Sequence, residues 1–191
     1  MISFHVGKIP VSLRFSFLLI LSLFLLLDQL GIGLAFCCAV LIHELGHLLV
    51  MACLGLSINA VELSAFGIAI QRKTGQSNGL WGELLLYLAG PAANLLAALF
   101  LFPRGEVAGA FHLLLGLLNL LPMKPMDGGQ ILSLALEHCL PWETARILEE
   151  IATALMDILL ILAGLWLLNQ RQNPTLLVFS LILCLQQIKN F

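Results

Sequence analysis

The sequence predicts an all-α polytopic membrane protein of about six transmembrane helices, with a short membrane-associated β hairpin or pair of strands after the second helix. Three observations predict it. Of the 191 residues, 60% are hydrophobic and only 10% charged, with a mean hydropathy of +1.02, which is more apolar material than a water-soluble core uses. Predominantly apolar runs recur along most of the chain, each long enough to cross a hydrocarbon layer of about 30 Å at about 1.5 Å per helical residue. Between the second and third runs lies SINAVELSAFGIAIQRKTGQSNG at 57–79, β-branched and small at first, then polar and glycine-containing, a pattern of short extended strands.

Taken in order, the expected spans are 11–28, 32–54, 80–102, 106–121, 147–168 and 174–190. Lys8 and Arg14 precede the apolar stretch Phe15 to Leu27, the layout of a signal peptide. No small-x-small cleavage site follows, and LAFC at 34–37 is a poor lipoprotein match because of Phe36, so the first segment reads as an uncleaved span. LPMKPMDGGQ at 121–130, with two prolines and a glycine pair, cannot be a straight helix and separates the fourth span from the fifth. The whole of 1–191 reads as a single domain, without internal repeat, low-complexity tract or appended soluble domain.

The formal net charge is −2, with no basic stripe, which excludes nucleic-acid binding as a leading function. Cys37, Cys38, Cys53, Cys139 and Cys184 form neither a C-x-x-C pair nor a disulfide framework. With a cytoplasmic amino terminus, seven of the nine Lys and Arg residues (Lys8, Arg14, Arg72, Lys73, Lys124, Arg146 and Lys189) fall on the cytoplasmic side. Only Arg104 and Arg171 fall outside, so the positive-inside rule favours this orientation. It places the lower part of the second span, with its polar residues, nearer the cytoplasmic face of what reads as a bacterial cytoplasmic membrane.

That second span contains LIHELGHL at 41–48, and ionisable groups in hydrocarbon are expensive unless compensated. His43 and His47 are four residues apart, so on a helix they share one face, one turn apart, and can share one metal ion. Glu44 is turned by about 100° from His43, poorly placed as a ligand but able to reach a metal-bound water. This is the H-E-x-x-H arrangement of zinc hydrolases. Gly46 lets another helix or a substrate come close. The alternative is a helix packing face on which the three polar side chains bond one another.

A catalytic zinc usually has three protein ligands and one open position. The candidates for the third are Asp127, Asp157, His112, Glu62, Glu83 and His138. Asp127 is preferred, because Gly128 and Gly129 allow close backbone approach and the proline-rich stretch before it is irregular backbone, tolerated at membrane depth only where buried or beside a wet cavity. Asp157 lies mid-span and reads as a partner for a histidine ring N–H or for a neighbouring helix. His112 reads as a hydrogen-bonded packing residue, and Glu83 and His138 lie near span ends.

HELGH at 43–47, AGPAANL at 89–95 and NLLPMKPMDGG at 119–129, in this order, resemble the site-2 protease family of intramembrane zinc metalloproteases. Size and span number are similar to the bacterial branch containing the sporulation protease that activates a sigma-factor precursor. The resemblance covers the second span to about residue 132. It implies one zinc on His43, His47 and Asp127, with Glu44 as general base. It also makes Asn94 and Asn119 candidates for holding substrate backbone or the oxyanion, although an intramembrane amide can equally bond a neighbouring helix. The strands after the second span resemble the family's membrane-associated strands, with AFGI at 65–68 matching its Phe-Gly-Gly signature only in part. An exposed strand edge there could pair with an extended substrate, or the strands could be a plain connection. The family's PDZ and CBS domains are not expected here.

The expected activity is zinc-dependent hydrolysis of peptide bonds in or near transmembrane segments of membrane-anchored substrates. Anti-sigma factors, sigma-factor precursors, other anchored regulators and leftover signal peptides all suit it, and a regulatory membrane partner or self-association stays open. The rival reading from another class is a metal-binding membrane transporter or sensor without hydrolytic activity, which leaves Glu44 and the DGG loop without a purpose. A structural membrane subunit would need the apolar spans alone.

Overall fold

Each long apolar run folds as a helix, the form in which a lipid-facing backbone satisfies its own polar groups. The computed structural model describes residues 2–7, 9–27, 31–64, 67–73, 78–104 and 106–189. In chain order the elements are β1 (Ile2–Val6), β2 (Ile9–Leu13), α1 (Phe15–Leu27), α2 (Ile32–Cys53), β3 (Ile58–Ser64), β4 (Gly67–Arg72), α3 (Gly79–Leu101) with a 3-10 turn at Phe102–Arg104, α4 (Val107–Asn119), α5 (Asp127–Cys139), α6 (Trp142–Arg171) and α7 (Thr175–Lys189).

Among the described residues, three helical stretches are long and apolar enough to cross a membrane: Ile32–Cys53, Gly79–Arg104 and Trp142–Arg171. They carry large apolar side chains on their outer faces, such as Leu49 and Leu99, both 66% exposed, which a bilayer would cover. The protein is an integral membrane protein, largely helical with one small sheet. The six expected spans are thus met in part. Those at 11–28, 106–121 and 174–190 fall on helices of 13, 13 and 15 residues, and 13 residues rise only about 20 Å.

Two elements depart from expectation. Residues 11–13, assigned to the first span, belong to β2, which pairs antiparallel with β1. Ile2, Phe4 and Val6, then Ile9, Val11 and Leu13, alternate with period two, the spacing of a strand with one apolar face. The second is α5, which begins at Asp127 inside the segment read as a break. The true break is 120–126, and an acid in the first turn suits the positive end of the new helix.

The expected strands after the second span are present as β3 and β4. They join the amino-terminal hairpin in a four-stranded sheet of order β1-β2-β3-β4, antiparallel except for the parallel β2–β3 pair. Parallel neighbours need a long crossover, which α1 and α2 supply. Ala65 and Phe66 of the AFGI signature lie outside the described residues.

The chain divides into two compact units, Met1–Gly116 and Leu117–Phe191. In the first, Met51, Leu56 and Leu86 are buried together, with Val50, Leu54, Ile58 and Ile70 packed on them, so that α2, α3 and the β3–β4 pair share one core. In the second, Met123, Leu160 and Leu183 are buried with Leu121, Met126, Met156, Leu176 and Phe179 around them. There the 120–126 bend is held on α6 and α7 by polar contacts. Lys124 Nζ meets Glu149 at 3.1 Å, the Lys124 N–H donates to Thr153 Oγ1 at 3.3 Å, and Gln187 Nε2 donates to the Lys124 carbonyl at 2.8 Å.

Candidate metal centre

Helix α2 puts His43 and His47 on one face, as their four-residue spacing requires. Their Nε2 atoms lie 3.2 Å apart, with ring centroids at 4.8 Å and planes crossed at 76°. His43 is 6% exposed and His47 is half-buried. His47 Nδ1 is 2.8 Å from the Leu86 carbonyl of α3. A carbonyl only accepts, so the ring proton of His47 sits on Nδ1 and its Nε2 carries a lone pair.

Helix α3 reaches this face because side chains are missing on both sides. A Cβ on Gly46 would lie 2.6 Å from the Ala89 carbonyl oxygen and 2.9 Å from Ala93 Cβ, so this glycine lets the two helices touch. Gly90 is the reciprocal gap. A Cβ there would overlap His47 Nε2 and lie 2.6 Å from His43 Nε2. Pro91 follows inside the helix, removing one N–H from the α3 ladder.

These positions fit a zinc ion. Two nitrogens bound tetrahedrally at about 2.0–2.1 Å would be about 3.3–3.4 Å apart, close to the separation seen, and Gly90 keeps the place before both nitrogens clear of side chain. Glu44, half-buried, follows His43 on the same helix.

Behind His43 lies a second pair of polar groups. Asn94 of α3 is fully buried, its Nδ2 3.2 Å from His43 Nδ1 and its Oδ1 2.9 Å from Nδ1 of His112 on α4, itself 1% exposed. Asn94, a candidate for holding substrate or the oxyanion, thus has its amide within hydrogen-bond distance of two histidines. Asn119 is the half-buried last residue of α4.

Of the other third-ligand candidates, Glu62, Glu83, Asp157 and His112 have partners of their own. Glu62 pairs with Arg14 and Glu83 with Arg72, whose Nη1 lies 2.8 Å from both Glu83 carboxylate oxygens. The Glu83 hydrogen bond raises the Arg72 pKa above its ordinary value, against partial burial, and so fastens the end of β4 to the start of α3. His138 is exposed near the end of α5. Within the second unit, Asp157 accepts from Gln187 Nε2 at 3.3 Å and is bonded to Cys184.

Asp127 opens α5 in that same second unit and is half-buried. Its position depends on the two glycines that follow. A Cβ on Gly128 would overlap the Leu120 carbonyl, and one on Gly129 would overlap the Met123 carbonyl, so the chain doubles back with backbone against backbone. Sequence reasoning found the histidines and the DGG turn. It noticed His112 without seeing its tie to Asn94, for which nothing in the local pattern is a signal.

Residues 104–163 match the model of peptidase family M50. The chain is 32% identical over 139 residues to stage IV sporulation protein FB of Bacillus subtilis, covering 68% of this chain and 47% of that protein. It is 28% identical over 150 residues to a zinc metalloprotease of Methanocaldococcus jannaschii, covering 68% and 43%. The matched stretches span less than half the length of these curated relatives. The fold is similar to that of a site-2 protease from Methanocaldococcus jannaschii, with a TM-score of 0.69 at 23% identity over 95% of this chain and 91% of that one. With HELGH, GPAAN and DGG in order along the chain, these matches support the site-2 protease family, peptidase family M50.

Proposed function

We propose that this chain is an intramembrane zinc endopeptidase that hydrolyses peptide bonds in or near transmembrane segments of membrane-anchored proteins. The observation that carries the reading is the convergence of His43 and His47 Nε2, 3.2 Å apart, on the bare backbone of Gly90. Asp127 is the third ligand in this reading. Two imidazoles and a carboxylate make a donor set suited to zinc. The whole of 1–191 then works as one catalytic domain.

Bound zinc would supply Lewis acidity, drawing the pKa of a water toward about 7 and polarising the scissile carbonyl. Glu44 takes the proton from the attacking water and returns it to the leaving amine. A helical substrate hides its peptide bonds, so it must unwind first. β4, an outer strand of the sheet, offers main-chain groups with which an extended segment can pair. The distribution of Lys and Arg supports a cytoplasmic amino terminus, with the histidine pair nearer the cytoplasmic side.

The deciding experiment uses purified protein in detergent or liposomes with a membrane-spanning peptide. One zinc per chain and chelator-sensitive cleavage are expected, with Glu44→Gln keeping its metal and losing cleavage. Full activity in Glu44→Gln would overturn the assigned base. Retained zinc with no cleavage of any membrane peptide by the wild type would favour a transporter or sensor.

A further inference from the structure

The hydrogen-bonded row His112, Asn94, His43 crosses three helices, and each member is at least nine-tenths buried. An asparagine amide has a donor end and an acceptor end, and exchanging them leaves the heavy atoms in place. The row therefore admits two proton arrangements.

In one, His112 Nδ1–H donates to Asn94 Oδ1 and the Asn94 amide donates to His43 Nδ1. The His43 proton is then on Nε2, the atom facing His47 Nε2. In the other, the amide is turned, so that His43 Nδ1–H donates to the Asn94 oxygen and the Asn94 N–H donates to Nδ1 of His112. His43 Nε2 then carries a lone pair. The Leu86 carbonyl already fixes His47 with its lone pair on Nε2. Only the second arrangement presents two lone pairs to one cation.

We propose that Asn94 and His112 are positioning residues that set the tautomer of His43, with His112 accepting from Asn94 so that the Asn94 oxygen holds His43 Nδ1–H. The inference rests on the zinc reading above and deepens it. A metal-binding histidine is oriented by the group that takes its other ring proton, and removing such a group typically weakens metal affinity by about 10–100-fold. Here that group would itself be oriented by a second histidine that touches no ligand.

The test measures zinc affinity of the purified protein by chelator competition, with thermal unfolding of the metal-free protein in parallel. His112→Leu and Asn94→Leu should weaken zinc binding by about 10–100-fold. His112→Asn keeps an acceptor near the Nδ1 position and should restore affinity to within a few-fold of wild type. Asn94→Asp can only accept, which suits His43 Nδ1–H, and should bind zinc at least as tightly as wild type.

A merely structural role would rank the variants by their metal-free stability, with Asn94→Asp as damaging as Asn94→Leu. Wild-type affinity in both leucine variants would overturn the relay and leave the zinc site standing. A folded wild type that takes up no zinc would overturn both. If His112→Leu does not fold, the polar variants decide, and tenfold weaker binding in both His112→Asn and Asn94→Asp overturns the relay.

Discussion

Gly90→Ala adds one methyl group at the place where the two ring nitrogens converge. The new Cβ would lie 2.6 Å from His43 Nε2 and 2.8 Å from His43 Cε1, and would overlap His47 Nε2, whereas ordinary contact begins at 3.4 Å. Something must therefore yield by about 1 Å, and overpacking of this kind typically costs about 1–3 kcal/mol. Backing helix α3 away would open its close contact at Gly46 and stretch the His47–Leu86 and His43–Asn94 hydrogen bonds. The rings are the softer part, so the strain falls on them. A displacement of about 1 Å costs about 100-fold in a positioned reaction. Gly90→Ala should thus lose zinc affinity by at least tenfold and cleavage by at least 100-fold while remaining folded. The assay is zinc stoichiometry with chelator competition, followed by cleavage of a membrane peptide, with Leu88→Ala on the exposed side of α3 as the control. Unchanged zinc affinity in a folded Gly90→Ala protein would refute the convergence of the two nitrogens on this backbone.

Further outcomes follow from the second unit. Asp127→Asn should lower zinc affinity by at least 100-fold in the same chelator competition, whereas Asp157→Asn should leave it within a few-fold; the opposite ranking would exchange their roles. Leu160→Ala opens a cavity beside Met123 and Leu183 and should destabilise the protein by about 2–5 kcal/mol. That loss is read as a lower midpoint of thermal unfolding in detergent, and an unchanged midpoint would mean that α6 and α7 do not share this core.

What was legible in the sequence depended on how local the cause was. The His43 and His47 pair needs only the repeat of one helix, and β3–β4 announced itself by a β-branched stretch followed in the sequence by a polar, glycine-containing one. The amino-terminal strands were hidden because Val11 and Leu13 sit directly against an apolar run, and apolarity outweighed the period of two. Helix α5 was hidden because prolines and glycines signal a break. Gly128 and Gly129 serve close backbone contact in the first turn of a helix, where propensity matters less than tertiary approach. Asn94 and His112 are 18 residues apart on different helices, and no sequence period connects them.

The interlock of α2 with α3 has a mechanical consequence. Gly46 receives the Ala89–Ala93 ridge while Gly90 receives the two rings. A shift of one residue, about 1.5 Å along either axis, would drive a methyl or the Pro91 ring into one of these notches. The pair is therefore keyed against gliding, and any motion of α2 against α3 must part the helices sideways.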